Sequence, residues 1–153
     1  MNELSWPQRS LILMAWLGFM GLMFYFSTRS WGGTETRSDL DVLLSYVPLL
    51  REHLSAVDLD RLNYILRKMA HFTEYALLTT LGYFAWSRSL GQSTLPAIRY
   101  TLGCSIAFAI TDEFHQLFEP GRTSLLTDVL IDSLGASVVA LVLFSLNWRS
   151  QPS

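Results

Sequence analysis

His71 and His115 stand among carboxylates, a combination that can exchange protons near neutral pH, ligate a divalent metal or grip a polar ligand. In one stretch Lys68, His71 and Tyr75 are three and four residues apart, with Arg67 and Glu74 beside them. In a second, Asp112, His115, Gln116 and Glu119 recur at helical spacing around Glu113, and in a third Asp128 and Asp132 are followed by Gly135. Residues three and four apart share a helix face, so each stretch offers one polar stripe. His-x-x-Glu and Asp-x-x-His put His71, His115 and Asp112 forward as metal ligands one turn apart, and His71, His115, Asp112 and Glu74 as acid, base or orienting groups. A divalent metal is admitted by these types. No H-E-x-x-H, G-x-S-x-G or P-loop is present, and no other cofactor is expected. The competing reading is polar glue, in which Arg67, Lys68 and Arg122 neutralise Glu74, Asp112, Asp128 and Asp132 and hold helices together. His53 is read as solvated.

The elements that position these groups are apolar. Arg9 and Arg29 bracket nineteen uncharged residues, close to the ~20 that a helix needs to cross the hydrocarbon of a bilayer. A signal peptide would be shorter and would end in an A-x-A site, so the segment reads as a retained helix. The expectation is an all-α polytopic membrane protein, one domain over residues 1–153, with spans at about 10–28, 67–87, 97–118 and 126–148. Leu102–Ile110 and Leu134–Leu146 are apolar on nearly every side, which argues against a soluble bundle. Consecutive spans alternate direction, so the start of the second, the end of the third and the start of the fourth meet at one membrane face. The polar ends lie there. An ionisable group facing lipid at mid-helix costs ~2.5–3.5 kcal/mol on insertion scales, so the groups are expected to pair or to line a wet cavity.

In the long loop 29–66, Leu40, Leu43, Leu44, Val47, Leu50 and Leu54 recur at helical spacing, predicting an amphipathic helix in the interface or one packed over the bundle. Gly91 and the Pro120-Gly121 pair mark the other two turns. Gly135, Ala136 and Ala140, with Gly82 and Ala85, would permit close helix contact. Trp6, Trp16, Trp31, Trp86 and Trp148 are assigned mostly to span ends, where amphipathic rings anchor. Basic residues do not orient the chain decisively, with Arg9, Arg88, Arg99 and Arg149 on one face and the rest on the other. Both termini are placed in the cytoplasm and the polar site outside.

Half of the residues are apolar, only 16% are charged, and the net charge is −2 with a single lysine, which leaves no footprint for nucleic acid. One cysteine, Cys104, gives no disulfide framework. Two blocks, LRKMAHFTEYALL at residues 66–78 and DEFHQLFEPGRTSLLTDVLIDSLGA at residues 112–136, carry K-x-x-H-F-x-E-Y, D-E-x-H-Q-x-F-x-P-G-R and D-x-x-x-D-x-x-G. They resemble the VanZ-like family of bacterial membrane proteins, named for a factor linked to resistance against the glycopeptide teicoplanin. The resemblance implies a bacterial cytoplasmic membrane protein with an envelope-related role for the matching residues: Lys68, His71, Glu74, Tyr75, Asp112, Glu113, His115, Gln116, Arg122, Asp128 and Asp132.

Three functions of different classes follow. The first is recognition or handling of a lipid-linked envelope precursor or an amphipathic small molecule, with Arg122 as a fork for phosphate or carboxylate. This reading includes a role in glycopeptide-type resistance. The second is a membrane-embedded, metal-dependent or metal-free hydrolase or transferase acting on lipid head groups. The third is proton-coupled transport, for which four helices would need a homo-oligomer.

Overall fold

A computed structural model describes residues 4–27, 33–119 and 125–149. Trp31, the Pro120-Gly121 turn and Arg122 lie outside the described residues, as do the side chains of Leu50 and Arg51. The regular structure is all-α, with no strand among the described residues. Helix α1 is Trp6–Ser27, α2 Gly33–Ser45, α3 Pro48–Glu52, α4 Ala56–Phe84, α5 Thr94–Gln116 and α6 Leu126–Arg149.

Helices α1 and α6, of 22 and 24 residues, are long and apolar enough to cross a membrane. At 1.5 Å per residue they measure roughly 33 and 36 Å. The expected spans 67–87 and 97–118 fall on α4 and α5, which are long enough, at 29 and 23 residues, but carry the polar stripes.

Helix α4 starts well before the expected residue 67, so residues 56–66 are helix and not loop. A capping box explains the early start: the Ser55 hydroxyl accepts from the Asp58 amide at 3.2 Å, and the Asp58 carboxylate accepts from the Ser55 amide at 3.1 Å. The other end of α4 widens into a π-helical stretch, Ala85–Ser89, in which the Leu90 amide reaches back five residues to the Ala85 carbonyl. Gly91, at φ +70°, then makes the left-handed turn towards α5.

The single amphipathic helix expected over Leu40–Leu54 is two helices. Pro48 opens α3 because it lacks an amide hydrogen to continue α2, and it disfavours helical geometry at Val47. Leu44 is buried, whereas Leu43, Val47 and Leu49 are exposed. Helix α2 packs on α4, where the Arg37 guanidinium pairs with Asp60 at 2.5 Å.

Helix α4 forms the centre, packed by α6, α5, α1 and α2. Trp16, Tyr75, Leu78, Ala85 and Ala109 make the core. Trp16 is thus a core residue and not a span-end anchor: it is 7% exposed and meets Trp86 edge to face, with centroids 6.3 Å apart. Trp6 and Trp148, at helix ends, are exposed. Gly135 and Gly82 sit where a neighbouring helix comes close, the first against backbone and the second against side chains. A Cβ at Gly135 would overlap the Phe72 carbonyl, and one at Gly82 would overlap the Thr101 hydroxyl.

Candidate functional site

The polar stripe of α4 faces α6. Lys68 forms an ion pair with Asp128 and also lies over the Tyr64 ring, 5.1 Å from its centroid. One turn on, His71 Nδ1 faces Asp132 Oδ1 at 3.3 Å, outside good hydrogen-bond alignment. Asp132 is wholly buried, and the His71 ring is the group its carboxylate faces, with neither carboxylate oxygen in a hydrogen bond among the described residues. Tyr75, one further turn along, is buried beside Phe108, with centroids 6.2 Å apart. The Lys68 and His71 contacts join the start of α6 to the middle of α4, and the Tyr75 contact joins α4 to α5.

A cavity of about 380 Å³ opens beside this seam. Its polar wall is Arg67, His71 and Glu74 from α4 with Asp112 and Gln116 from α5, and its apolar wall is Phe19, Leu22, Met23 and Phe26 from α1. Gln116 Nε2 donates to Asp112 Oδ2 at 3.0 Å, while the buried Oδ1 has no partner among the described residues. His71 is the one expected site residue that joins the seam to the cavity.

Two expected members lie elsewhere. Glu113 turns towards the start of α6, where its carboxylate accepts from the Leu125 amide at 3.0 Å, as suits the positive end of a helix. His115 stacks on Phe24, with centroids 4.7 Å apart, and its Nε2 is 3.5 Å from Glu119. The two histidines therefore serve different places. Among the described residues, no three His, Cys, Asp or Glu side chains come together as a metal-binding group. Arg122 lies outside the described residues.

Residues 11–147 match the family model described as VanZ/LLP1. The chain belongs to the VanZ/LLP1 family. No curated protein and no solved structure matches it. The VanZ/LLP1 match runs from α1 through nearly all of α6, so it takes in both motif blocks and the cavity between them. Family membership and the two apolar helices together describe a membrane-compatible helical protein.

Sequence reasoning missed two sets of residues. The first is the α1 wall, for which no signal existed, because α1 is apolar on every side. The second is a buried hydroxyl layer below the site: Thr79 donates to Ser105 at 2.9 Å, and Thr101 donates to the Thr79 carbonyl at 3.1 Å. Thr79 lies four residues after Tyr75, so following the α4 stripe one turn further would have reached it.

Proposed function

We propose that this VanZ/LLP1 protein crosses the bacterial cytoplasmic membrane four times and uses the cavity between α1, α4 and α5 to hold a lipid-linked or amphipathic envelope molecule. The observation that carries this reading is the division of the cavity: four apolar side chains from α1 oppose charged and amide groups from α4 and α5. An amphiphile presents the same division, with a head group for one wall and a chain for the other. The volume lies near the low end of the ~300–1,000 Å³ usual for small-molecule sites, which suits a head group and the first part of a chain.

Membrane crossing by α4 is supported by two contacts with α1. The Ser89 hydroxyl donates to the Arg9 carbonyl at 2.7 Å, beside the start of α1. At the far end of α1, Phe26 and Ser27 share the cavity with Arg67 and His71. This course along α1, from one end to the other, supports a crossing by α4 beside it.

Binding by purified protein in nanodiscs, over a panel of lipid-linked envelope precursors and glycopeptides, tests the reading. Saturable binding is expected, weakened about tenfold or more by His71→Ala, the worth of one charge-assisted hydrogen bond. His115→Ala, outside the cavity, should bind as wild type does. Equal binding by all three proteins would remove the cavity from consideration.

One observation favours a second reading, a hydrolase or transferase on the same class of molecule. Asp132 faces His71 Nδ1, so Nε2 is the ring nitrogen available to a bound molecule as a general base. Release of a cleaved head group from a bound precursor, abolished by His71→Ala, would establish it.

A further inference from the structure

We infer that the cavity recognises an amphiphile whose head group carries both an anionic phosphate and an ammonium group, an inference that rests on the binding reading above. Two unmatched charges of opposite sign on the polar wall carry it. Arg67 lines the cavity and makes no ion pair or hydrogen bond among the described residues. Asp112 is only 7% exposed, and its Oδ1 is buried without a partner among the described residues, while Oδ2 is taken by Gln116.

The other ionisable groups of the wall each face a partner within the protein, His71 through Nδ1 alone, which leaves its Nε2 for the ligand. His71 faces Asp132, and Glu74 has an interaction of its own. A buried carboxylate oxygen without a donor is unfavourable, so a ligand that brings an N–H to Asp112 Oδ1 gains the relief of that burial as well as the new bond. The Arg67 guanidinium offers a planar fork matched to two phosphate oxygens. A phosphate alone would leave Asp112 uncompensated and would bring a second negative charge near it. An amine alone would leave Arg67 unmatched. A head group with both satisfies both, and its chain runs along Leu22, Met23 and Phe26 of α1.

Three single-chain probes separate these contributions when titrated into purified protein in non-ionic detergent. Lyso-phosphatidylethanolamine carries phosphate and ammonium, lyso-phosphatidylglycerol carries phosphate without ammonium, and a long-chain alkylamine carries ammonium without phosphate. The first should bind at least tenfold more tightly than either of the others. Asp112→Asn should bring it to the level of the phosphatidylglycerol probe, and Arg67→Gln to the level of the alkylamine. Equal affinity of the two phospholipid probes for the wild type would overturn the ammonium assignment and leave an amphiphile cavity in place. Equal affinity of the alkylamine and the ethanolamine lipid would overturn the phosphate assignment in the same way. Saturable binding of none of the three would overturn the binding reading itself. Should Asp112→Asn fail to fold, the order of the three probes on the wild type decides alone.

Discussion

Lys68 and Asp128 pair across α4 and α6 with side chains only 17% and 7% exposed, so each removes the other's charge from an apolar surrounding. Removing one partner is then much worse than removing both. Lys68→Met leaves Asp128 buried and unpaired, and breaking a buried pair in this way typically destabilises by about 3–5 kcal/mol. The double variant Lys68→Met/Asp128→Leu should recover most of that loss, because apolar side chains of similar volume replace both charges. Unfolding free energies of the single and double variants, measured in mixed micelles, give the coupling directly. Additive losses would mean that the two side chains do not interact in the folded protein. His71 and Asp132 are expected to respond differently: Asp132→Asn keeps the shape and removes the charge, so ligand affinity should fall more than stability.

At the scale of the element, the seam between α4 and α6 depends on Gly135. Alanine ordinarily favours a helix over glycine by about 1 kcal/mol, so Gly135→Ala would stabilise an open helix face. Here the added methyl group meets the Phe72 backbone, with the carbonyl carbon at 3.1 Å and the Cα at 3.3 Å, and backbone cannot rotate away. Net destabilisation of about 1–3 kcal/mol, the range for overpacking, is expected in thermal unfolding. The start of α4 gives a pH signature. The Ser55 hydroxyl and amide both bond to Asp58 and hold its carboxyl below the ordinary value of 3.8. A lowered folded pKa means that the cap stabilises α4 at neutral pH and loses its effect as pH falls through that lower value. Wild type and Asp58→Ala should therefore differ in thermal stability at pH 7 and converge in strong acid.

These elements also mark what could be read from residue order. The α4 and α6 stripes were legible because three- and four-residue spacing fixes a helix face, and the Lys68–Asp128 and His71–Asp132 contacts lie on those faces. The early start of α4 was written in Ser55-x-x-Asp58 but was masked by the leucine spacing of the loop, which also hid the break at Pro48. Trp16, inside the first expected span, lies in the core because the large packing area of an indole competes with its interfacial preference, and tertiary contact with Trp86 decides the outcome. The α1 wall of the cavity could not be read at all, since a uniformly apolar helix does not say which side meets its neighbours.

For the whole molecule, the number of crossings is the property from which the others follow. Length and composition mark α1 and α6 as able to span, and a chain that used those two alone would leave everything from α2 to α5 on a single side. In that arrangement the loop Ser87–Pro96 and the segment 46–55 share a compartment. Four crossings separate them, and put Ser87–Pro96 with the two termini. The packing favours separation, because Ser89 bonds to Arg9 at the start of α1, while Arg67 and His71 line a cavity with Phe26 and Ser27 at its end. Positive charge is consistent with a cytoplasmic location for that loop, since Arg9, Arg88, Arg99 and Arg149 would gather there. Single-cysteine variants in a Cys104→Ala background, at Gln92 and at Tyr46, measure the arrangement through labelling of intact cells with a membrane-impermeant maleimide. Labelling at Tyr46 and protection at Gln92 is the expected result, and it would leave the cavity open towards the outer leaflet. Labelling at both positions, or at neither, would reduce the chain to two crossings and move the cavity out of the bilayer, where a lipid chain would no longer be needed to fill its α1 wall. Labelling at Gln92 alone would keep four crossings and reverse them, turning the same cavity towards precursors on the cytoplasmic side.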